Sequence, residues 1–224
     1  MILPVVFATY NRFPLLRQTV ETLIKNTDSE LEIVILDASD NWEGIEHYLK
    51  RKKTKVIYKH LEKRVPIYEA KNLGVSLASP SEYIHIADDD IYYEPHWDTR
   101  LMEVLHYFPD IGVVGGKKHP HHQTLKTIEF RGYKILVVNN QPGYSFFVRR
   151  GDLSIIGSFR YLDDKLCGED SAFCEDVRKV GMKVAAVEPP VLYHCGFMNF
   201  RKLKASDYLE MIEISEKRPD ILFK

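Results

Sequence analysis

Three consecutive carboxylates, Asp88, Asp89 and Asp90, follow a short apolar run at residues 83–87. We interpret the run as a buried strand, because it is short and Pro95 soon interrupts it. Side chains alternate along an extended chain, which predicts that Asp88 and Asp90 share one face and Asp89 points elsewhere. Carboxylates this close repel one another unless a cation joins them. Oxygen ligands suit Mg²⁺ or Mn²⁺, which often shares its coordination with substrate phosphates. A plain acidic turn is the alternative.

The strand end lies just before a predicted helix at residues 95–108, with Pro95 as its first helical residue. The nearest aspartate is several residues too early to be the N-cap of that helix. Open α/β sheets bind ligands beyond the carboxyl ends of their strands. The aspartates therefore mark a candidate site rather than a simple cap.

The elements before this strand alternate regularly along the chain. Apolar patterns predict strands at 2–8, 31–36 and 55–59, and helices at 14–26, 42–50 and 66–78. This alternation is typical of right-handed βαβ units and a parallel sheet. We expect residues 1–116 to form the nucleotide-binding half of one domain that spans residues 1–224.

The second half has a different pattern, which predicts a smaller mixed or antiparallel region. Strands are expected at 111–115, 144–148 and 182–187, with a hairpin of strands 124–130 and 133–138 and a helix at 168–180 that ends at Gly181. Residues 117–200 are expected to shape the second substrate's site. An amphipathic helix at 203–217, within residues 201–224, packs on the core in our interpretation; a dimer contact or a membrane surface is the alternative.

Composition excludes several classes of protein. The chain has 224 residues, 45% of them hydrophobic, and its 31 Lys+Arg against 32 Asp+Glu give a net charge of −1. No global field favours nucleic acid. Three cysteines without a paired C-x-x-C arrangement suggest reduced thiols and a cytoplasmic setting. No apolar run approaches the roughly 20 residues that span a bilayer.

A histidine-rich stretch, H-P-H-H at residues 119–122, has two interpretations. It could bind a metal ion, but its proline and the flanking lysines favour a surface loop. As a loop, it could line an acceptor site together with the aromatic stretch at residues 144–147.

Four motifs in order resemble the GT-A fold glycosyltransferases, most closely the large inverting family 2. They are T-Y-N-R at 9–12, E-A-K-N-L-G at 69–74, D-D-D at 88–90, and I-G-S-F at 156–159 with G-E-D at 168–170. The resemblance covers about residues 2–196. It implies a Rossmann-like nucleotide-binding fold, a nucleoside-diphosphate sugar donor and a divalent cation.

The resemblance also implies roles for residues on the donor side. Thr9, Tyr10 and Arg12 would lie against the nucleotide, Asp37 would read the edge of the base, and Arg64 and Lys71 could reach the diphosphate. Asp90 would be the direct metal ligand, with Asp88 near the ribose or metal; the register is open by one, so that Asp89 could take either role. His194 would be a further metal ligand, or a strand-end histidine bonded to the backbone.

Asp170 would be the general base on the acceptor side. An inverting transfer needs a carboxylate that deprotonates the acceptor hydroxyl on the face opposite the departing diphosphate. Glu169 would hold the acceptor by hydrogen bonds. The alternative is that both serve only as favourable charges in the first turn of a helix.

The chain departs from the family pattern at three places. Lys71 stands where arginine is usual, Ala38 removes one carboxylate of the usual D-D-G-S, and Asp176 stands where arginine is frequent. Base identity and local acceptor or phosphate contacts are thereby left open.

Competing functions remain at this point. A sugar nucleotidyltransferase would need a glycine-rich basic loop after the first strand, and T-Y-N-R contains no glycine. A non-catalytic binding or scaffold protein would have lost the chemical groups that Asp88, Asp90, Asp170 and His194 offer. A retaining transferase is also compatible with the fold. The acceptor could be a glycan, a lipid or a protein, and the UDP or GDP identity of the donor is open.

Overall fold

The computed structural model describes residues 2–161 and 168–196, which form eleven strands and six helices. The strands are β1 (Ile2–Thr9), β2 (Glu30–Asp37), β3 (Lys55–His60), β4 (Tyr83–Asp88), β5 (Ile91–Tyr93), β6 (Ile111–Gly115), β7 (Thr124–Phe130), β8 (Tyr133–Val138), β9 (Ser145–Arg149), β10 (Lys183–Glu188) and β11 (Leu192–His194). The helices are α1 (Phe13–Asn26), α2 (Trp42–Lys50), α3 (Ile67–Leu77), α4 (Trp97–Tyr107), α5 (Arg150–Ile156) and α6 (Glu169–Lys179).

Nine strands form one twisted sheet in the order β3-β2-β1-β4-β9-β6-β10-β8-β7, and β5 pairs with β11 separately. The strands β3, β2, β1 and β4 run parallel, as the alternating pattern predicts. Beyond β4 the pairing becomes antiparallel except between β10 and β6. The mixed region expected in the second half is therefore a continuation of the same sheet.

Helices cover both faces of this sheet, because each face carries its own buried apolar cluster. One cluster includes side chains of α1, α2 and α4, such as Leu16, Ile45 and Trp97. The other includes side chains of α3, α5 and α6, such as Ala70 and Phe173. Strands buried on both faces explain why β1 and β2 are apolar almost throughout.

Gly74 in α3 permits the close approach of that helix to the sheet. A Cβ atom at this position would lie 2.8 Å from Leu36 Cδ2 and would overlap Val6 as well. This is a packing reason for the glycine at the end of the E-A-K-N-L-G motif.

The prediction that Pro95 is the first helical residue is wrong. The helix α4 begins at Trp97, and His96 before it has a left-handed backbone with φ of 62°. Glu94 N donates a hydrogen bond to Val191 O, and β5 pairs with β11 just before this turn. A tertiary strand pairing therefore delays the helix by two residues. No bounds were predicted for the short elements β5, α5 and β11, since none is long enough for a periodic pattern.

Other expectations concern residues that the structure describes only in part. Cys174 and Cys195 are buried thiols, while Cys167 lies outside the described residues. The predicted helix at 203–217 also lies outside them. Among the described residues, no helix is long and apolar enough to cross a membrane.

Candidate active site

Parallel pairing brings several predicted site residues to one edge of the sheet. Thr9 at the end of β1 pairs with Asp37 at the end of β2, and Ala8 pairs with Asp88 at the end of β4. The loops after these strands therefore share the same edge, where ligands bind in open α/β sheets.

The T-Y-N-R loop is fixed to the loop after β2 by Asn11. The backbone of Asn11 has φ of 53°, a left-handed conformation that asparagine tolerates better than most residues. Asn11 N donates to Ser39 Oγ at 2.7 Å, and Asp40 N donates to Asn11 Oδ1 at 2.9 Å. These bonds hold the loop so that Tyr10 and Arg12 on either side face the edge of the sheet.

Arg12 forms ion pairs with two of the three aspartates. Its Nη1 lies 3.0 Å from Asp89 Oδ1, and its Nη2 contacts Asp90 Oδ2. Both carboxylates are only 2% exposed. Thr9 Oγ1 donates to Asp89 Oδ2 at 2.5 Å. The predicted alternation of side chains does not extend past Asp88, because β4 ends there. Asp89 and Asp90 both pair with the guanidinium of Arg12 instead.

The pKa values of this pair diverge. Burial raises the pKa of Asp89 to about 7, and the charge of Asp90 adds to this against the opposing effect of Arg12. Burial acts in the same direction on Asp90, but His194 and Arg12 outweigh it and hold its pKa at about 2. Asp90 is therefore the ionised member of the pair, and further positive charge at the edge would favour ionisation of Asp89 as well.

Asp90 and His194 fit a divalent cation. His194 Nε2 lies 3.2 Å from Asp90 Oδ2, and Asp90 Oδ1 is buried without a hydrogen-bond partner among the described residues. No group of three or more His, Cys, Asp or Glu side chains in residues 2–161 and 168–196 forms a complete metal cage. An incomplete set suits Mg²⁺ or Mn²⁺, which is commonly held by one or two carboxylates plus substrate phosphates.

Asp88 belongs to a second group of charges, arranged around Lys71. The ammonium group of Lys71 is 1% exposed and lies 3.4 Å from Asp88 Oδ1 and 3.2 Å from Glu169 Oε1. Asp170 follows in the first turn of α6, and its Oδ1 accepts a hydrogen bond from Ser171 N at 2.7 Å. The structure thus connects the end of β4 to the start of α6, as a site formed by both halves requires.

A cavity of about 250 Å³ opens beside the aspartates. Its polar lining comes from Thr9, Tyr10, Arg12, Arg64 and Asp89. The guanidinium of Arg64 stacks over the ring of Tyr10, with 4.9 Å to its centre. The apolar part of the lining consists of Ala8, Leu36, Ala38, Leu61, Val65, Ile67 and Ala70. This combination of apolar walls and guanidinium groups suits an aromatic base attached to phosphates.

Asp37, which is predicted to read the edge of the base, lies between Leu36 and Ala38, two residues that line the cavity, and its role toward the base stays a prediction. The residue is fully buried, and its Oδ1 accepts from Ser39 N at 2.8 Å while its Oδ2 accepts from Tyr58 Oη at 2.6 Å. It is not among the residues that line the cavity in the described part of the chain. Asp37 therefore supports the loop at residues 38–40.

The histidine-rich stretch forms a loop in which three rings cluster. The rings of His121 and His122 lie 5.3 Å and 5.1 Å from that of His119. Lys118 Nζ donates to His122 O at 2.8 Å and to His119 O at 3.2 Å. Burial and the neighbouring His119 lower the pKa of His122. The favoured interpretation as a loop agrees with this placement.

Three further residues contact the site, and of these only Tyr144, in the aromatic stretch at 144–147, was singled out from the sequence. Tyr144 stacks on His194, with 5.0 Å between ring centres and 8° between planes. A Cβ atom at Gly196 would lie 2.7 Å from His194 Nε2, and one at Gly143 would lie 3.2 Å from Asp170 Cβ. The sequence did not single out Gly143 or Gly196, because the close contacts of a glycine become evident only in the folded structure.

The family comparison agrees with this fold. The profile of Glycosyl transferase family 2 matches residues 5–156, which is more than half of the chain. The chain therefore belongs to glycosyl transferase family 2.

A curated relative and several solved structures extend the comparison. Glycosyltransferase GlyG of Streptococcus pneumoniae serotype 4 (strain ATCC BAA-334 / TIGR4) is 32% identical over 117 residues. These residues make up 51% of this chain and only 38% of that protein. The chain thus matches less than half of the relative's length.

The structural likenesses confirm the predicted GT-A fold. GalNAc-T7, solved with UDP, GalNAc and Mn²⁺, has a TM-score of 0.71 at 15% identity and covers 98% of this chain and 49% of its own. The mannosyltransferase PcManGT from Pyrobaculum calidifontis, in complex with GDP-Man and Mn²⁺, has a TM-score of 0.64 at 17% identity. The match covers 82% of this chain and 56% of PcManGT. S. aureus TarS 1-349 has a TM-score of 0.65 at 15% identity, and the match covers 100% of this chain and 75% of the TarS chain.

Proposed function

We propose that this chain transfers a sugar from a nucleoside-diphosphate sugar to an acceptor hydroxyl, with inversion at the anomeric carbon. The observation that carries the proposal is the sheet edge where the lined cavity, the buried Asp89–Asp90 pair and His194 meet. Family membership supports the reaction class. UDP or GDP as the nucleotide is supported by the ligands of GalNAc-T7 and PcManGT.

The donor side would use residues 1–116. The base would enter between the apolar walls of the cavity, near the stacked Tyr10 and Arg64, and the guanidinium groups would attract the diphosphate. Asp90 and His194 would hold Mn²⁺ or Mg²⁺, with Asp88 and Asp89 beside them. When bound, the cation neutralises charge that develops on the departing diphosphate.

The acceptor side would use residues 117–200, with Asp170 as the general base. Its carboxylate would accept the proton of the attacking hydroxyl as the new glycosidic bond forms and the bond to the diphosphate breaks. Glu169 would hold the acceptor or orient the start of α6. The acceptor would be a glycan, lipid or protein hydroxyl.

The test is donor turnover across UDP-, GDP- and dTDP-sugars with Mn²⁺, with and without EDTA. We expect metal-dependent release of one nucleoside diphosphate. Asp170→Asn is expected to lose acceptor transfer by about 10²–10⁴-fold while donor binding is retained. Asp152→Asn, on α5 and paired with Arg149, is the matched control. Release from no donor under any condition would contradict the proposal and favour a non-catalytic binding protein.

A further inference from the structure

Lys71 joins three segments of the chain through one buried ammonium group. Its Nζ donates to Gly143 O at 3.1 Å and to Glu169 Oε1 at 3.2 Å, and it lies 3.4 Å from Asp88 Oδ1. These partners belong to the loop before β9, to the start of α6 and to the end of β4. The ammonium therefore connects the metal-side strand end to the acidic helix start.

The ammonium keeps its charge in this buried position. Burial opposes ionisation, but Asp88 and Glu169 outweigh it and raise the pKa of Lys71. A charge in the interior is stable only where it is paired and hydrogen-bonded, so the three partners account for the burial of Lys71.

The surroundings of Lys71 argue against its predicted contact with the diphosphate. The residue is 1% exposed, and the cavity lining in the described part of the chain includes Arg12 and Arg64 but not Lys71. The rings of Phe146 and Phe159 lie 5.9 Å and 6.0 Å from its Nζ. Reaching a phosphate would require Lys71 to leave Glu169 and Asp88, whose side chains are 15% and 33% exposed, without their shared cation.

The loop that Lys71 holds lies directly against Asp170. A Cβ atom built on Gly143 would be 3.2 Å from Asp170 Cβ and 3.3 Å from both Glu169 Oε1 and Lys71 Nζ. The loop at Gly143, the side chains of Glu169 and Asp170 and the ammonium of Lys71 are therefore closely packed against one another.

We propose that Lys71 is a positioning residue, which fixes the Glu169–Asp170 segment relative to Asp88 at the metal edge. The inference rests on the proposed transfer reaction, because it assigns the fixed segment to the acceptor side and the strand end to the donor side. Lys71 acts through Glu169, Asp88 and Gly143 and does not touch the donor.

The test compares Lys71→Met, Lys71→Gln and Lys71→Arg with wild type and with Lys52→Met. Lys52 is 17% exposed and paired with Glu21 on another surface, which makes it a matched ion-pair control. Each variant is assayed for thermal stability, for nucleoside-diphosphate affinity in Mn²⁺ by calorimetry, and for kcat and KM in transfer. Lys71→Gln retains a donor to Gly143 O and carries the test if Lys71→Met does not fold.

We expect the uncharged variants to lose about 10–100-fold in kcat, the usual effect of removing an orienting partner. Nucleoside-diphosphate affinity should stay within about twofold of wild type, since a positioning residue makes no donor contact. Lys71→Arg should recover most of the rate, because it restores the positive charge. Lys71→Gln and Glu169→Gln should not be additive, because both break the same interaction.

A different pattern would overturn the inference. A loss of about tenfold or more in nucleoside-diphosphate affinity at unchanged kcat would make Lys71 a diphosphate ligand. Additive losses in kcat for Lys71→Gln and Glu169→Gln would show that the two residues act independently of each other. Absence of any transfer by the wild type would refute the proposed function and this role with it, whereas normal transfer by Lys71→Gln refutes this role alone.

Discussion

Arg12 is the residue that balances the negative charge of the candidate metal edge. Its guanidinium contacts the same carboxylate oxygen of Asp90 that His194 approaches, and it pairs with Asp89 as well. A divalent cation entering this edge has to compete with Arg12 for these oxygens. If this edge binds a divalent cation as proposed, the arginine would therefore lower the metal affinity as long as no anionic ligand draws it away.

Replacement of Arg12 by alanine should tighten binding of Mn²⁺ in the absence of nucleotide. We expect the dissociation constant to fall about tenfold, which corresponds to about 1.4 kcal/mol, because no cation then competes for Asp90. Titration followed by electron paramagnetic resonance of free Mn²⁺ measures the effect. Arg64→Ala is the control, since Arg64 lines the same cavity but stacks on Tyr10. Weaker binding of Mn²⁺ to Arg12→Ala would contradict this account.

Some features of the site could be predicted from the sequence and others could not. The sequence brought Asp88, Asp89 and Asp90 to attention because three adjacent carboxylates at a strand end are unusual. It did not indicate that Tyr58 on β3, 21 residues away, donates a hydrogen bond to one carboxylate oxygen of Asp37. Pairing between residues so distant in the chain depends on strand register, which local patterns do not encode.

At the scale of elements, β4 carries a buried histidine between α4 and β9. His85 is fully buried; its ring lies 4.8 Å from that of Trp97 and 5.9 Å from that of Phe147, and its Nε2 is 3.2 Å from Tyr93 Oη. Burial lowers the pKa of His85 to about 3 from an ordinary value of 6.5. The folded protein therefore holds this ring neutral at pH values where the unfolded chain protonates it.

This histidine should make folding stability depend on pH. The contribution of neutral His85 is fully present above the unfolded pKa of about 6.5 and is lost as pH falls toward 3, at about 1.4 kcal/mol per pH unit. His85→Gln should remove that part of the slope in the free energy of unfolding, measured by urea titration from pH 7 to pH 4. His47→Gln, at an exposed position on α2, should keep the wild-type slope. Equal slopes for His85→Gln and wild type would contradict the prediction.

Most elements were predictable where the periodic pattern was long. The bounds of α2, β6, β7 and β8 agree with the prediction to the residue, and those of α1, β1 and β2 to within one residue. The misassigned start of α4 has a different origin: β5 and β11 pair across about a hundred residues, and this pairing overrides the preference of Pro95 for the first helical position. Short elements of this kind are determined by tertiary contacts.

At the scale of the whole molecule, the parallel half followed from strand and helix alternation, but the order of the second half did not. The antiparallel β9 inserts between β4 and β6, so β4, the strand that leads into the aspartates, pairs with a strand more than 50 residues away. This insertion places the loop at residues 139–144 over the start of α6. The resemblance in four motifs predicted that both regions meet, although no single motif did.

The central claim is that the edge formed by Asp89, Asp90 and His194 binds a nucleoside diphosphate together with a divalent cation. The most direct measurement is calorimetric titration of UDP and GDP into the protein, once in Mn²⁺ and once in EDTA. The account predicts that one of the two nucleotides binds in Mn²⁺ and that its binding is lost or greatly weakened in EDTA. Equal binding in both conditions, or binding of neither nucleotide in Mn²⁺, would contradict it.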